Sequence, residues 1–236
     1  MTVVSLTTTT PALPARATGD YDVLNWNEYQ PTGGTRGAAA FLTGTDLYTS
    51  TLAATTEGFT VNYDNADNTG STGSNINGQH NYSMVTGTAN DLLLGGGIDS
   101  SAGTLTLTLT GLSATADYTI ITYVSSLYFA APAVGSVSDG ASTFYYKPTN
   151  GTGLTSFVQG TATTEASAEA ANYVEFDGVT GLTTQVLTIA DASADGGLPA
   201  LMAFQIIEVP EPSTYALLGL ACAAVFLVVR RRTVRV

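Results

Sequence analysis

The stretch Thr104-Leu105-Thr106-Leu107-Thr108-Leu109-Thr110 points to one kind of backbone. Its strict alternation puts every leucine on one face of a strand and every threonine on the other, whereas a helix would scatter both around its circumference. β-Branched threonine also suits a pleated, half-buried surface. Gly111 follows, then a turn, then Asp117-Tyr118-Thr119-Ile120-Ile121-Thr122-Tyr123-Val124, and the two runs together predict a long hairpin. Further strands are predicted at Phe59–Tyr63, Thr143–Lys147, Tyr173–Asp177, Gln185–Ala190 and Ala200–Glu208. Turn chemistry falls between them at Asn77-Gly78, Asp139-Gly140, Asn150-Gly151, Asp177-Gly178 and Asp195-Gly196-Gly197. Strands of this length, separated by such turns, favour an all-β, antiparallel β-sandwich. Residues Thr161–Ala171 fit either a helix or an excursion loop.

Charge patterning narrows the function classes. Only 11% of the 236 residues are charged, and the chain lacks the Glu/Lys/Leu richness of helical proteins. Before Pro210, three cations (Arg16, Arg36, Lys147) stand against 18 acidic residues, a net −15, and the remainder carries +3. A domain so acidic repels phosphate backbones, so nucleic acid is not an expected partner. The negative charge reads as the solubility device of an exposed surface.

The last residues have a different texture. Val209-Pro210-Glu211-Pro212-Ser213-Thr214 is followed by Tyr215, a run to Val229 without a charged residue, and Arg230-Arg231-Arg232. Prolines fix φ and lack an N–H, so Pro210 and Pro212 stop the preceding strand and hold the motif extended. The apolar run predicts a single C-terminal transmembrane helix over 215–229, with Tyr215 at one interface and the arginines on the cytoplasmic side. At 1.5 Å per residue it reaches about 22 Å, short of a hydrocarbon core of ~30 Å, a deficit that snorkelling arginines reduce. Cys222, the single cysteine, lies inside this run, so no intramolecular disulfide or cysteine-based metal site can form.

This tripartite order, with the Pro210-Glu211-Pro212 core ahead of an apolar helix and an arginine cluster, resembles the PEP-CTERM sorting signal of bacterial envelope proteins. The resemblance implies an exosortase as partner and processing near the motif. It also implies export to the cell envelope, the cell surface or the exopolysaccharide matrix of a biofilm. A tail of this kind anchors the protein in the cytoplasmic membrane at least transiently and is then discarded. The preceding chain is similar in order to galactose-binding-like or jelly-roll sandwiches. The points of likeness are Asn25-Trp26-Asn27, the Leu-Thr repeat leading to Gly111-Leu112, Tyr118–Tyr123, Asn172-Tyr173-Val174-Glu175-Phe176 and Leu201–Ile207.

The expected organisation is therefore an unstructured segment over 1–19, a sandwich ectodomain over 20–208 and the sorting signal over 209–236. Residues 1–20 have no basic n-region and no apolar run beyond Val3-Val4-Ser5-Leu6, so a signal peptide is expected upstream of Met1.

Residues that could carry chemistry are few. His80 is the sole histidine, in a polar, turn-rich stretch with no nucleophile or orienting carboxylate near it in sequence. No catalytic residue is assigned and no enzyme is expected. A secreted polysaccharide hydrolase, which would need two facing carboxylates, is the least favoured reading. No cofactor is expected either. Calcium is the ligand that the oxygens of Asp64-Asn65-Ala66-Asp67-Asn68 best suit, although the spacing is not an EF-hand and Asx-turns are the commoner use of such clusters. Carbohydrate contact would fall to Trp26 with Tyr29, or to Tyr145 or Tyr146, of which only one can face a given side of a strand. The leading expectation is a structural or adhesive surface protein without catalytic activity. The alternative is a carbohydrate-binding module that tethers exopolysaccharide.

Overall fold

A computed structural model describes residues 2–6, 16–18, 21–23, 27–29, 39–45, 47, 53–64, 97–100, 102–127, 134–148, 154, 156–193 and 198–209. In chain order the strands are β1 (Thr2–Leu6), β2 (Arg16–Thr18), β3 (Tyr21–Val23), β4 (Asn27–Tyr29), β5 (Ala39–Gly44), β6 (Gly58–Asp64) and β7 (Ile98–Asp99). They continue with β8 (Thr104–Thr110), β9 (Asp117–Leu127), β10 (Gly135–Ser138), β11 (Thr143–Tyr146), β12 (Tyr173–Thr180), β13 (Thr184–Asp191) and β14 (Leu198–Val209). Two six-stranded sheets result. Sheet I runs β12-β9-β14-β1-β4 with β7 beside β14, and sheet II runs β11-β10-β13-β8-β6-β5. Among the named strands pairing is antiparallel, except that β1 and β4 are parallel; β2 and β3 form a separate ribbon.

The sheets face each other across one core. Leu105, Leu107 and Leu109 of β8 are buried while the threonines between them are not, as the alternation requires. They meet Ile120, Val124, Val174, Phe176, Phe204 and Ile206 of sheet I. Two aromatic pairs join the sheets: Phe59 lies edge-on to Phe204 at 5.2 Å, and Phe144 is tilted against Phe176 at 5.4 Å. This is the two-sheet sandwich that the strand pattern predicts.

Three expectations are corrected. The predicted hairpin of β8 and β9 does not form: β8 pairs with β6 and β13 in sheet II, and β9 with β12 and β14 in sheet I. Residues 111–116 arch between the sheets instead. The arch is pinned by Gly111 in the left-handed region at φ 73°, where an added Cβ would lie 1.9 Å from the Thr56 carbonyl oxygen. Both strands thus deliver their apolar faces to the same core from opposite sides. Second, Asp177-Gly178 is no turn but an irregularity inside β12, where register slips between Phe176 and Val179. Third, residues 1–19 are not unstructured throughout. Thr2–Leu6 is β1, inserted between β14 and β4, with Val4 fully buried, so the sandwich begins well before residue 20.

Other readings stand. Asp139-Gly140 turns β10 into β11, with Asp139 Oδ1 accepting from the backbone N–H groups of Ala141 and Ser142. Residues 161–171 are an excursion loop holding one 3-10 turn, Glu165–Ser167. The Asn77-Gly78, Asn150-Gly151 and Asp195-Gly196-Gly197 turns lie outside the described residues, as does the 215–229 segment. Among the described residues no helix is long and apolar enough to cross a membrane.

Candidate functional site

The strand that leads into the tail is the centre of sheet I. β14 pairs with β9 along its whole length, from Leu198 opposite Leu127 to Val209 opposite Asp117. On its other side Ile206 lies opposite Thr2 of β1. Its burial explains the sequence there: Leu198–Ile206 is buried without alternation, the mark of a strand covered on both faces. Only Glu208 and Val209 emerge. The ladder ends where Pro210 follows, a residue with no N–H to continue it.

Around that exit the fold gathers side chains that are remote in sequence. Glu57, just ahead of β6, is half-buried, and its carboxyl pKa is raised by burial, against a hydrogen bond to Thr2 and the N-terminal positive charge that lower it, with the Glu208 charge adding the smallest part. Its Oε2 has no hydrogen-bond partner among the described residues. Tyr118, opposite Glu208, accepts a hydrogen bond from Ser113 N at 2.9 Å, and burial raises its phenol pKa. The exit is thus acidic and partly desolvated. Nothing in the local sequence around Glu57 or Glu208 signals this; the pairing of β1, β9 and β14 in sheet I and its packing against sheet II, which carries Glu57 ahead of β6, bring the groups together.

The other candidates separate. Tyr146 is fully buried, its ring laid over Gly135, where an added Cβ would come within 2.3 Å of Cζ. Its hydroxyl donates to the Ser125 carbonyl across the core at 3.2 Å, and burial drives its pKa far up. Tyr146 cannot offer a face to a sugar, because the core needs its ring and the ring has no solvent side. Tyr145 points the other way and stays partly exposed, so the adjacent pair does divide between faces. Trp26, Asp67 and His80 lie outside the described residues, as do Pro210, Glu211, Pro212, Ser213, Thr214, Tyr215, Arg230, Arg231 and Arg232. Tyr29 closes β4 and Asp64 closes β6; their side chains are likewise outside the description. Among the described residues no group of three or more His, Cys, Asp or Glu is placed to hold a metal ion.

Residues 208–232 match the family model of the PEP-CTERM protein-sorting motif. No curated protein and no solved structure matches the chain. The match begins at Glu208, so the final residues of β14 belong both to the fold and to the signal. A signal of this kind marks an exported protein that passes through the membrane and is processed by an exosortase.

Proposed function

We propose that this chain, which carries a PEP-CTERM sorting signal at residues 208–232, is a structural or adhesive protein delivered to the cell surface or to an exopolysaccharide matrix. The observation that carries this reading is the junction itself. The motif match begins within the central strand of sheet I, so whatever the exosortase receives arrives with a folded domain directly ahead of it in the chain. In the precursor, residues 215–229 hold the membrane and Arg230-Arg231-Arg232 stay on the cytoplasmic side. Residues 210–214, fully extended, span at most about 16–18 Å. The acidic exit of the sandwich therefore stands close above the interface. A non-catalytic role fits a chain whose only histidine and only cysteine stand far apart in sequence, the cysteine inside the apolar tail.

The test is a triple substitution, Pro210→Ala/Glu211→Ala/Pro212→Ala, compared with the parent in a host that carries the exosortase. Processing and surface delivery are expected to be lost, with the unprocessed precursor retained in the membrane fraction. Unchanged size and localisation would overturn the assignment of the motif as the working signal.

A further inference from the structure

The outward face of sheet II is unlike the rest of this acidic domain. The register places Thr43, Thr60, Thr108 and Val186 in one row across four adjacent strands. The next row holds Phe41, Asn62, Thr106 and Thr188. Neighbouring strands lie ~4.8 Å apart and same-face residues ~6.8 Å apart along a strand, so these side chains form a shallow, regular lattice. Among the described side chains at the face positions of the six strands none is charged, although the chain before Pro210 carries 18 acidic residues. Apolar exposure concentrates here as well: of the four exposed large hydrophobics among the described residues, Phe41 (72% exposed) and Val186 (45%) stand on this face. Tyr145 adds a partly exposed ring at the opposite edge, on β11.

We infer that this face is a docking surface for a neutral, polyhydroxylated polymer, that is, an uncharged polysaccharide lying flat across β6, β8 and β13. Each threonine presents a hydroxyl that both donates and accepts and a methyl that packs against C–H groups. Sugar rings present the same two kinds of group, on their edges and faces respectively. Individual contacts of this sort are weak, so the surface suits a polymer that engages many at once and not a free monosaccharide. Charge excludes the other occupants. No lysine or arginine stands among the face positions to hold a phosphate or a lipid headgroup. A second copy would bring two domains of net −15 face to face through a surface without the buried aromatic core of a self-interface.

The inference rests on the reading of a surface or matrix protein and names its ligand class. It is tested on the purified full-length chain in detergent, by depletion from solution onto an insoluble neutral β-glucan, with alginate as the charged comparison. The parent is expected to bind the neutral polymer and not alginate. The variant Thr106→Val/Thr108→Val/Thr188→Val keeps shape and strand propensity while deleting hydroxyls, and its binding is expected to fall about tenfold or more. Phe41→Ala removes an exposed ring outside the core and is expected to weaken binding without changing the thermal melt. Failure of the parent to bind, or equal binding by the triple-valine variant, overturns the inference. So does a parent that forms dimers in the same detergent while the valine variant stays monomeric, which would assign the face to a second copy. No exosortase enters this assay, so its failure leaves the sorting reading intact, and failure of the sorting test leaves this one intact.

Discussion

Sheets I and II share one core yet are built on different terms. In sheet II the strands β6, β8 and β13 bury one face, so β8 alternates between buried leucine and solvent-facing threonine. In sheet I the central strands are buried on both faces. Thr119, Ile120, Ile121, Thr122, Tyr123 and Val124 of β9 are all buried, and a second cluster of Ile121, Tyr123, Tyr173, Ala200, Met202 and Ala203, with Phe157 against it, covers the side away from the main core. Tyr123, Phe157 and Tyr173 meet there with ring centroids 5.2–6.4 Å apart. Polar groups on the same side need partners in the absence of water, and Tyr123 Oη donates to Gln205 Oε1 at 3.2 Å. One sheet is an inner wall that carries the tail. The other is an outer wall that shows its hydroxyls.

The sharpest way to break this comparison is to truncate neighbouring residues. Ile120→Ala and Ile121→Ala should each cost about 2–5 kcal/mol by chemical denaturation, because the two side chains point to opposite faces of β9 and both faces are dry. In sheet II, Leu107→Ala should cost the same, but Thr108→Ala only about 0.5–1 kcal/mol. A small loss for Ile121→Ala would show that the second cluster is not part of the stable fold. The arch between the sheets comes next. Gly140→Ala should cost about 1 kcal/mol, since φ there is positive but nothing lies within 4 Å of the new Cβ. Gly111→Ala meets the Thr56 backbone as well and should cost about 2–3 kcal/mol. Equal melting temperatures for the two variants would undo the arch as drawn.

The smallest effect belongs to the exit of β14. The folded-state pKa of Glu57 is raised above its ordinary 4.5, so the native state holds this proton more tightly than the unfolded chain does. Its stabilising contribution is complete below about pH 4.5 and is lost as pH rises through the higher folded value. Glu57→Gln, which stays neutral, should therefore be more stable than the parent at pH 7, with the advantage vanishing below pH 4.5. Melting temperatures of both proteins across that window measure it. A constant difference at every pH would mean that packing, not ionisation, sets the effect.

What the chain reveals before folding follows the same division. Four sheet II strands, β6, β8, β11 and β13, are legible because one-sided burial writes a period of two into the sequence, clearest at Thr104–Thr110, whereas β5 and β10 are not among the expected strands. β9 and β14 were found as strands but not placed, since a run buried on both faces carries no sign of which side is which. The β8–β9 hairpin was the natural reading of two strands joined by a glycine turn; an arch and a hairpin differ only in which distant strands claim the edges. β1 carries no local signal, because Thr2–Leu6 is short and followed by Thr7-Thr8-Thr9-Thr10, and its burial depends on β14, near the far end of the sandwich. The sorting signal could be read directly, as its recognition is local and linear. The acidic exit and the threonine lattice could not, because register across several strands makes them.

The seam between β14 and the signal also decides how the domain bears a load. A pull on the tail is a pull along β14, not across it. The ladder to β9 extends to Val209 itself, and β1 grips the other side. Force applied through the tail therefore loads those hydrogen bonds together, in shear, instead of peeling an edge strand away one bond at a time.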